Sequence, residues 1–373
     1  MKDIFLEKIH WRHFFGGFSF LLIILQLFTG IFLIFFYDPS LDNAYLSVQH
    51  LTNKVTGGSL MRNMHRWIAF SLVIAILIHT IRCVLRLDFM NSSKRVLWLT
   101  GVLLLLPTFL LIVTGLILPW EWKGYWFMEI IPNHSEFIPF IGHKLKSFFI
   151  ESFTLPRYQV IHILVLPIIF LILLDYHFLD KLRKRGVFTY IYRHSLLALP
   201  LLAAIVALAK YITIPSEDPD VIPLPLEGEY MPAPEWYYLI LLLPLMYFKG
   251  SLIPVLTIYI PLLFFIAFAF LPYYLKRRGV RENSEAEEYN NPAPLKKVFI
   301  RGSLTVIIFA ICASLIYLGA YNSPTLGCNG CHHLKSGFRM GIVPKQFKDR
   351  NVLPNLDDNQ WMMGHWFYPT EIY

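Results

Sequence analysis

The chain has 373 residues, 56% of them AVILMFWYC and only 16% charged, with a mean hydropathy of +0.52. A water-soluble chain of this length is far less apolar, so composition places it in a membrane with several crossings. The net charge of +8 is expected in loops on one side of a bilayer, and no basic, aromatic-interleaved patch points to nucleic acid.

In chain order, the opening MKDIFLEKIHWRHFF is polar and aromatic and does not read as a cleavable signal. Apolar runs then predict seven spanning helices, at roughly 15–36, 65–86, 96–118, 160–180, 195–213, 252–274 and 299–320. Lys and Arg cluster between helices two and three (Arg82, Arg86, Lys94, Arg95), four and five (Lys181, Arg183, Lys184, Arg185, Arg193) and six and seven (Lys276, Arg277, Arg278, Arg281, Lys296, Lys297, Arg301). These loops are expected on the cytoplasmic side. Ile212 to Tyr230 carries five acidic residues and no Lys or Arg, so it is expected outside. Trp236–Tyr247 is apolar but too short to span and is broken by Pro244; as an interfacial helix it leaves the C-terminal tail outside. Asn283 to Pro294 is a polar loop. Asn322 to Tyr373 is a soluble tail of about fifty residues, small for a core of its own.

Two of the helices carry paired histidines. His65 and His79 are fourteen residues apart, and His162 and His177 fifteen. Fourteen residues make nearly four helical turns and roughly 21 Å, so both imidazoles leave one face at two depths. Ionisable side chains in a membrane helix are costly and point to function. Neutral imidazoles in matched pairs suit axial ligation of haem iron; zinc wants about four clustered ligands. Gly16 and Gly30 on the first helix, and Gly101 and Gly115 on the third, repeat the fourteen-residue step. A macrocycle edge lying against a helix needs bare backbone there, whereas small-residue helix packing is the competing explanation. Arg62, Arg66, Arg82 and Arg157 lie near these levels and could pair with haem propionates.

Four stretches, QLFTGIFLIFFYDP, RNMHRWIAFSLVIAILIHTIR, WLTGVLLLL…TGLILPWEWKGYW and PRYQVIHILVLP, resemble cytochrome b of the quinol–cytochrome c oxidoreductase family. The fifteen-residue step and the following FLDKLRKRGV are closer to the split plastid and Gram-positive form than to the mitochondrial one. The resemblance extends over about residues 10 to 320. It implies an all-α membrane protein: a dihaem four-helix bundle at 1–194, a three-helix C-terminal part at 195–321, and an outer c-type haem tail at 322–373. It implies that His65 and His162 hold an outer haem b, and His79 and His177 an inner one. Helices two and four run the same way, which favours the same pairing.

Pro234, Glu235, Trp236 and Tyr237 fall in the outer connection, and the family carries PEWY in its outer quinol site. A carboxylate at the membrane edge can take a proton from a quinol hydroxyl, and the aromatics suit a flat ring at an interface. In the tail, CNGCH spells covalent haem c attachment through Cys328 and Cys331 with His332 as axial ligand. Met362 or Met363 is expected as sixth ligand, with His365 the alternative; Met340 is close in sequence and His333 adjoins the proximal ligand.

No CxH…CxxH pair for a Rieske cluster is present, and no cysteine stands near the start of helix one for the extra haem of plastid-like relatives. The expected function is therefore that of a core subunit of a quinol-oxidising bc complex, with two haem b and one haem c. Its partners are quinol and quinone, a Rieske iron–sulfur protein, a c-type cytochrome acceptor and the bilayer. It is expected in a bacterial cytoplasmic membrane, within a homodimeric complex and without nucleic acid. His10, Arg12, His13, Asp175, Asp180 and His194 are candidates for the inner quinone site. A dihaem anchor for a dehydrogenase would need neither PEWY nor CNGCH, and a proton transporter would leave CNGCH unexplained.

Overall fold

The computed structural model describes residues 11–90, 94–121, 135–150, 154–213, 252–275 and 295–322, with isolated positions 124, 127, 243 and 244. All regular structure among them is helical: α1 (Trp11–Ile34), α2 (Ala44–Lys54), α3 (Gly58–Leu85), α4 (Arg95–Ile117), α5 (Gly142–Ile150), α6 (Thr154–Leu179), α7 (Val187–Tyr211), α8 (Val255–Tyr274) and α9 (Leu295–Asn322). A backbone in lipid must satisfy its own hydrogen bonds, which leaves helices for such apolar runs. Six of the helices, α1, α3, α4, α6, α7 and α8, are long and apolar enough to cross a membrane. The chain is a multi-pass membrane protein. The seventh expected span falls in a helix, α9, but its apolar stretch, Gly302–Ile316, is shorter than those of the other six, and α9 is not among the helices long and apolar enough to cross.

Three helices begin earlier than the apolar runs imply: α3 at Gly58, α6 at Thr154 and α7 at Val187. Their first turns (GSLMRNM, TLPRYQ, VFTYIYRH) each carry charged or polar side chains, among them Arg62 and Asn63, Arg157 and Gln159, and Arg193 and His194. Hydropathy marks where the bilayer begins, whereas the hydrogen-bonded helix continues into the polar region.

The chain forms two compact units. The first comprises Met1–Pro119, Tyr158–Ser216 and Ala269–Pro294; the second comprises Trp120–Arg157, Glu217–Phe268 and Leu295–Tyr373. In the first, α1 lies along α3, α4 along α6, and α7 packs on α3 and α1. Phe14, Phe18, Leu22, Ile68, Leu72, Ala75, Ala198 and Ile205 interlock between α1, α3 and α7. Phe20, Leu104, Phe170 and Leu174 do so between α1, α4 and α6, joined by Leu182 of the short helix Asp180–Arg185 that follows. Lipid is as apolar as these side chains, so close van der Waals packing holds the contacts. Polar clamps add direction. Asn63 Nδ2 donates to Ala209 O at 3.2 Å and Trp67 Nε1 to Ile212 O at 3.2 Å, closing carbonyls at the end of α7. Tyr37 Oη donates to Leu118 O at 2.6 Å, tying the exit of α1 to the end of α4. Burial first, then the neighbouring Asp38, push the Tyr37 phenol up, so it stays a donor. In the second unit, Tyr259 Oη donates to Phe137 O at 2.7 Å.

Helix α6 is not uniform. Ile161–Val165 and Asp175–Leu179 are π turns. A π turn closes its hydrogen bond one residue later than an α turn. Pro167 stands two residues after the first: it lacks an N–H and its ring crowds the carbonyl of Ile163. The same relation recurs in α8, where the π turn Val255–Tyr259 precedes Pro261.

Candidate haem sites

Each of the four helix histidines faces one of the four glycines spaced fourteen residues apart. A Cβ built on Gly30 would lie 3.2 Å from the His65 ring, on Gly115 3.0 Å from His162, on Gly16 3.2 Å from His79, and on Gly101 2.9 Å from His177. Glycines on α1 thus receive histidines of α3, and glycines on α4 receive those of α6. Side chains at these positions would push the imidazoles aside.

The π turns explain how a fifteen-residue step can match a fourteen-residue one. At about 100° per residue, fourteen residues leave the second imidazole about 40° short of full turns and fifteen about 60° beyond. His162 and His177 each lie within a π turn, and such a turn takes up an extra residue.

His65 and His162 stand opposite one another, with ring centroids 6.5 Å apart and planes at 68°. A metal–imidazole bond is about 2 Å; with the ring radius on each side, this separation seats one metal atom between the rings. Among the described residues no group of three or more His, Cys, Asp or Glu is gathered for a metal ion. Two facing imidazoles, as at His65 and His162, are a donor set that fits an iron whose remaining ligands come with a macrocycle.

Three of the four rings are also held from behind. Thr29 Oγ1 is 2.9 Å from His65 Nδ1, Thr114 Oγ1 2.9 Å from His162 Nδ1, and Thr100 Oγ1 3.2 Å from His177 Nδ1. His177 Nδ1 donates to Leu97 O at 2.9 Å. Gln26 Nε2 stands 3.1 Å from His65 Nε2. Neither these threonines nor Gln26 were among the residues singled out from sequence. The available signal was a Thr-Gly dipeptide at three of the four glycine positions; the fourth reads Phe15-Gly16.

Among the arginines, Arg62 is buried at 5% exposure, Arg66 and Arg82 are half-buried on α3, and Arg82 Nη2 donates to Cys83 Sγ at 3.2 Å. Arg157 donates to Phe148 O and lies over the Phe148 ring. His194 is buried on α7, stacks on Tyr190 at 3.9 Å and donates from Nδ1 to Tyr190 O at 3.0 Å. It presses so closely on Gly17 that a Cβ there would overlap its ring. Asp175 forms an exposed ion pair with Arg183 at 2.7 Å. Pro234, Glu235, Trp236, Tyr237, Cys328, Cys331, His332, His333, Met340, Met362, Met363, His365 and His10 lie outside the described residues, as do the side chains of Arg12, His13 and Asp180.

The family model for Cytochrome b/b6/petB matches residues 3–186, which hold all four histidines and all four glycines. Cytochrome b6 of Prochlorothrix hollandica is 36% identical over 177 residues, covering 46% of this chain and 79% of that protein. The chain belongs to the cytochrome b/b6 family. Cytochrome b6 of Euglena gracilis is similar at 35% identity, over 46% of this chain and 81% of that protein. A chain of a solved hyperthermophilic respiratory Complex III shares the fold, with a TM-score of 0.59 at 17% identity over 84% of this chain and 92% of that one. This cytochrome b is therefore a haem b protein of the membrane.

Proposed function

We propose that this cytochrome b is the core subunit of a quinol-oxidising bc complex in a bacterial cytoplasmic membrane. The observation that carries the reading is His65 facing His162 across 6.5 Å, with a glycine against each of the four imidazoles. His65 and His162 would hold an outer haem b, and His79 and His177 an inner one. Arg62, Arg66, Arg82 and Arg157 supply cationic partners for propionates. Haem b, when bound, would carry single electrons through the membrane interior.

Quinol oxidation releases two electrons and two protons. Glu235, in the PEWY segment, accepts a proton from a quinol hydroxyl at the outer face, with Pro234, Trp236 and Tyr237 shaping the ring site. One electron leaves to a Rieske iron–sulfur partner and on toward a c-type cytochrome acceptor; the other is delivered to quinone at the inner face. Protons are released outside, so charge crosses the membrane. Cys328, Cys331 and His332 would hold a haem c, with Met362 or Met363 as sixth ligand. With α9 as a seventh crossing, the tail 322–373 lies outside and the Lys/Arg-rich loops inside. The parts are 1–194, 195–321 and 322–373, in a homodimeric complex.

A pyridine haemochrome spectrum of the purified chain tests the reading, because it counts haem b and haem c separately. Two b to one c is the expected result. No haem b would overturn the reading of the histidines; two b without c would remove the tail from the electron path.

A further inference from the structure

The threonine hydroxyls beside the histidines have a single hydrogen each, and the carbonyls three and four residues back on the same helix both stand within reach to accept it. Thr29 Oγ1 donates to Leu25 O at 2.9 Å, Thr100 Oγ1 to Val96 O at 2.7 Å, and Thr114 Oγ1 to Leu110 O at 2.7 Å. Each is the carbonyl one helical turn back, reached in the way threonine hydroxyls bond within helices. With that hydrogen committed, the oxygen turns only lone pairs toward the imidazole. The Nδ1 atoms at 2.9, 3.2 and 2.9 Å must then carry their own hydrogens.

The backbone demands the same assignment. Leu97 O, 2.9 Å from His177 Nδ1, can only accept. Gln26 and Leu111 stand three residues before Thr29 and Thr114, the relation Leu97 bears to Thr100. A neutral imidazole protonated at Nδ1 presents a bare lone pair at Nε2. At His65 that lone pair accepts from Gln26 Nε2 at 3.1 Å.

We propose that Thr29, Thr100 and Thr114 are positioning residues: each accepts the Nδ1 hydrogen of His65, His177 and His162 respectively, so that Nε2 is presented as the ligand atom. Two such hydroxyls serve the facing pair His65 and His162, and one serves His177; the corresponding fourth position is Phe15. An acceptor on the distal N–H makes an imidazole a stronger donor to a metal. The outer site thus receives two such contributions from threonine and the inner site one. This inference rests on the reading of the four histidines as iron ligands.

The test uses the full purified chain and two independent readouts. ¹⁵N-histidine NMR of the chain prepared without haem reports the tautomer directly: three of the four helix histidines are expected with the hydrogen on Nδ1. Nε2 protonation at His65, His162 and His177 would overturn the proposal, whatever the protein binds. Redox titration of the haem-loaded chain gives the second readout. Thr29→Val and Thr114→Val, which keep shape and remove the acceptor, are expected to raise the midpoint potential of one and the same haem b and leave the other in place. Thr100→Val is expected to raise that of the other, and Thr→Ser at each position to restore it. Two haem b with potentials untouched by all three valine variants would overturn the proposal while leaving the histidine assignment standing. A wild-type chain without haem b would overturn that assignment, and the NMR result then decides the tautomer alone.

Discussion

His65 meets Gly30, Thr29 and Gln26 on one helix and His162 on another. With a hydrogen in place of a side chain, Gly30 lets that ring approach the backbone of α1, and Gly115 does the same for His162 on α4. Gly115→Val places branched carbon where 3.0 Å already separates a first Cβ from the ring. It is expected to remove the outer haem b and spare the inner one, so that the haemochrome count falls from two to one. At the exit of α1, Asp38 accepts from the Ser40 N–H at 3.0 Å and from Asn43 Nδ2 at 3.1 Å. The Ser40 backbone bond is the main cause that holds this carboxyl below its usual range. A depressed value stabilises the turn above the ordinary carboxylate pKa, and the contribution fades as pH falls through the depressed value. Amide-exchange protection at Ser40 is expected to hold at neutral pH and decline in acid, and Asp38→Asn should abolish that acid-dependent decline.

At the scale of helices, α6 carries one residue more between its histidines than α3 does, and its π turns accommodate the excess. An alanine inserted between Ile168 and Ile169 lengthens the step to sixteen residues. It turns His162 by about a further 100° relative to His177 and is expected to cost one of the two haem b, again read by haemochrome. The end of α7 depends on α3 in a comparable way. Asn63→Leu leaves Ala209 O without its side-chain donor. Hydrogen bonds between membrane helices average about 0.6 kcal/mol and reach about 1.7. A loss in that range is expected in reversible detergent unfolding, with haem content unchanged.

For the molecule as a whole, the proposed function adds to the two histidine pairs a quinol site at the outer face and an electron exit. Glu235→Gln keeps the size of the side chain and removes the proton acceptor. It is expected to lower quinol oxidation by roughly 10²- to 10⁴-fold, the usual contribution of a positioned base, while leaving both haem b in place. Steady-state turnover with the iron–sulfur partner, set beside the haem count of the same sample, separates this loss from a folding defect.

Much of this arrangement was legible in the sequence because it is periodic. The fourteen-residue step of His65 and His79 and of both glycine pairs places those residues on one helix face without reference to any other helix, and apolar length points to the crossings. CNGCH and PEWY are local text as well, but they lie outside the described residues. Helix ends were misjudged, at Gly58, Thr154 and Val187, because hydropathy reports solvent and not backbone hydrogen bonding. Which glycine receives which imidazole depends on how α1 lies against α3 and α4 against α6. So do the acceptors behind each ring: Thr29, Thr100 and Thr114 look in sequence like ordinary helix threonines. The amino-acid order determined where each histidine sits along and around its own helix. Only the packing of separate helices decided what faces it, because a hydrogen bond of about 3 Å depends on two backbones that the chain order alone does not bring together.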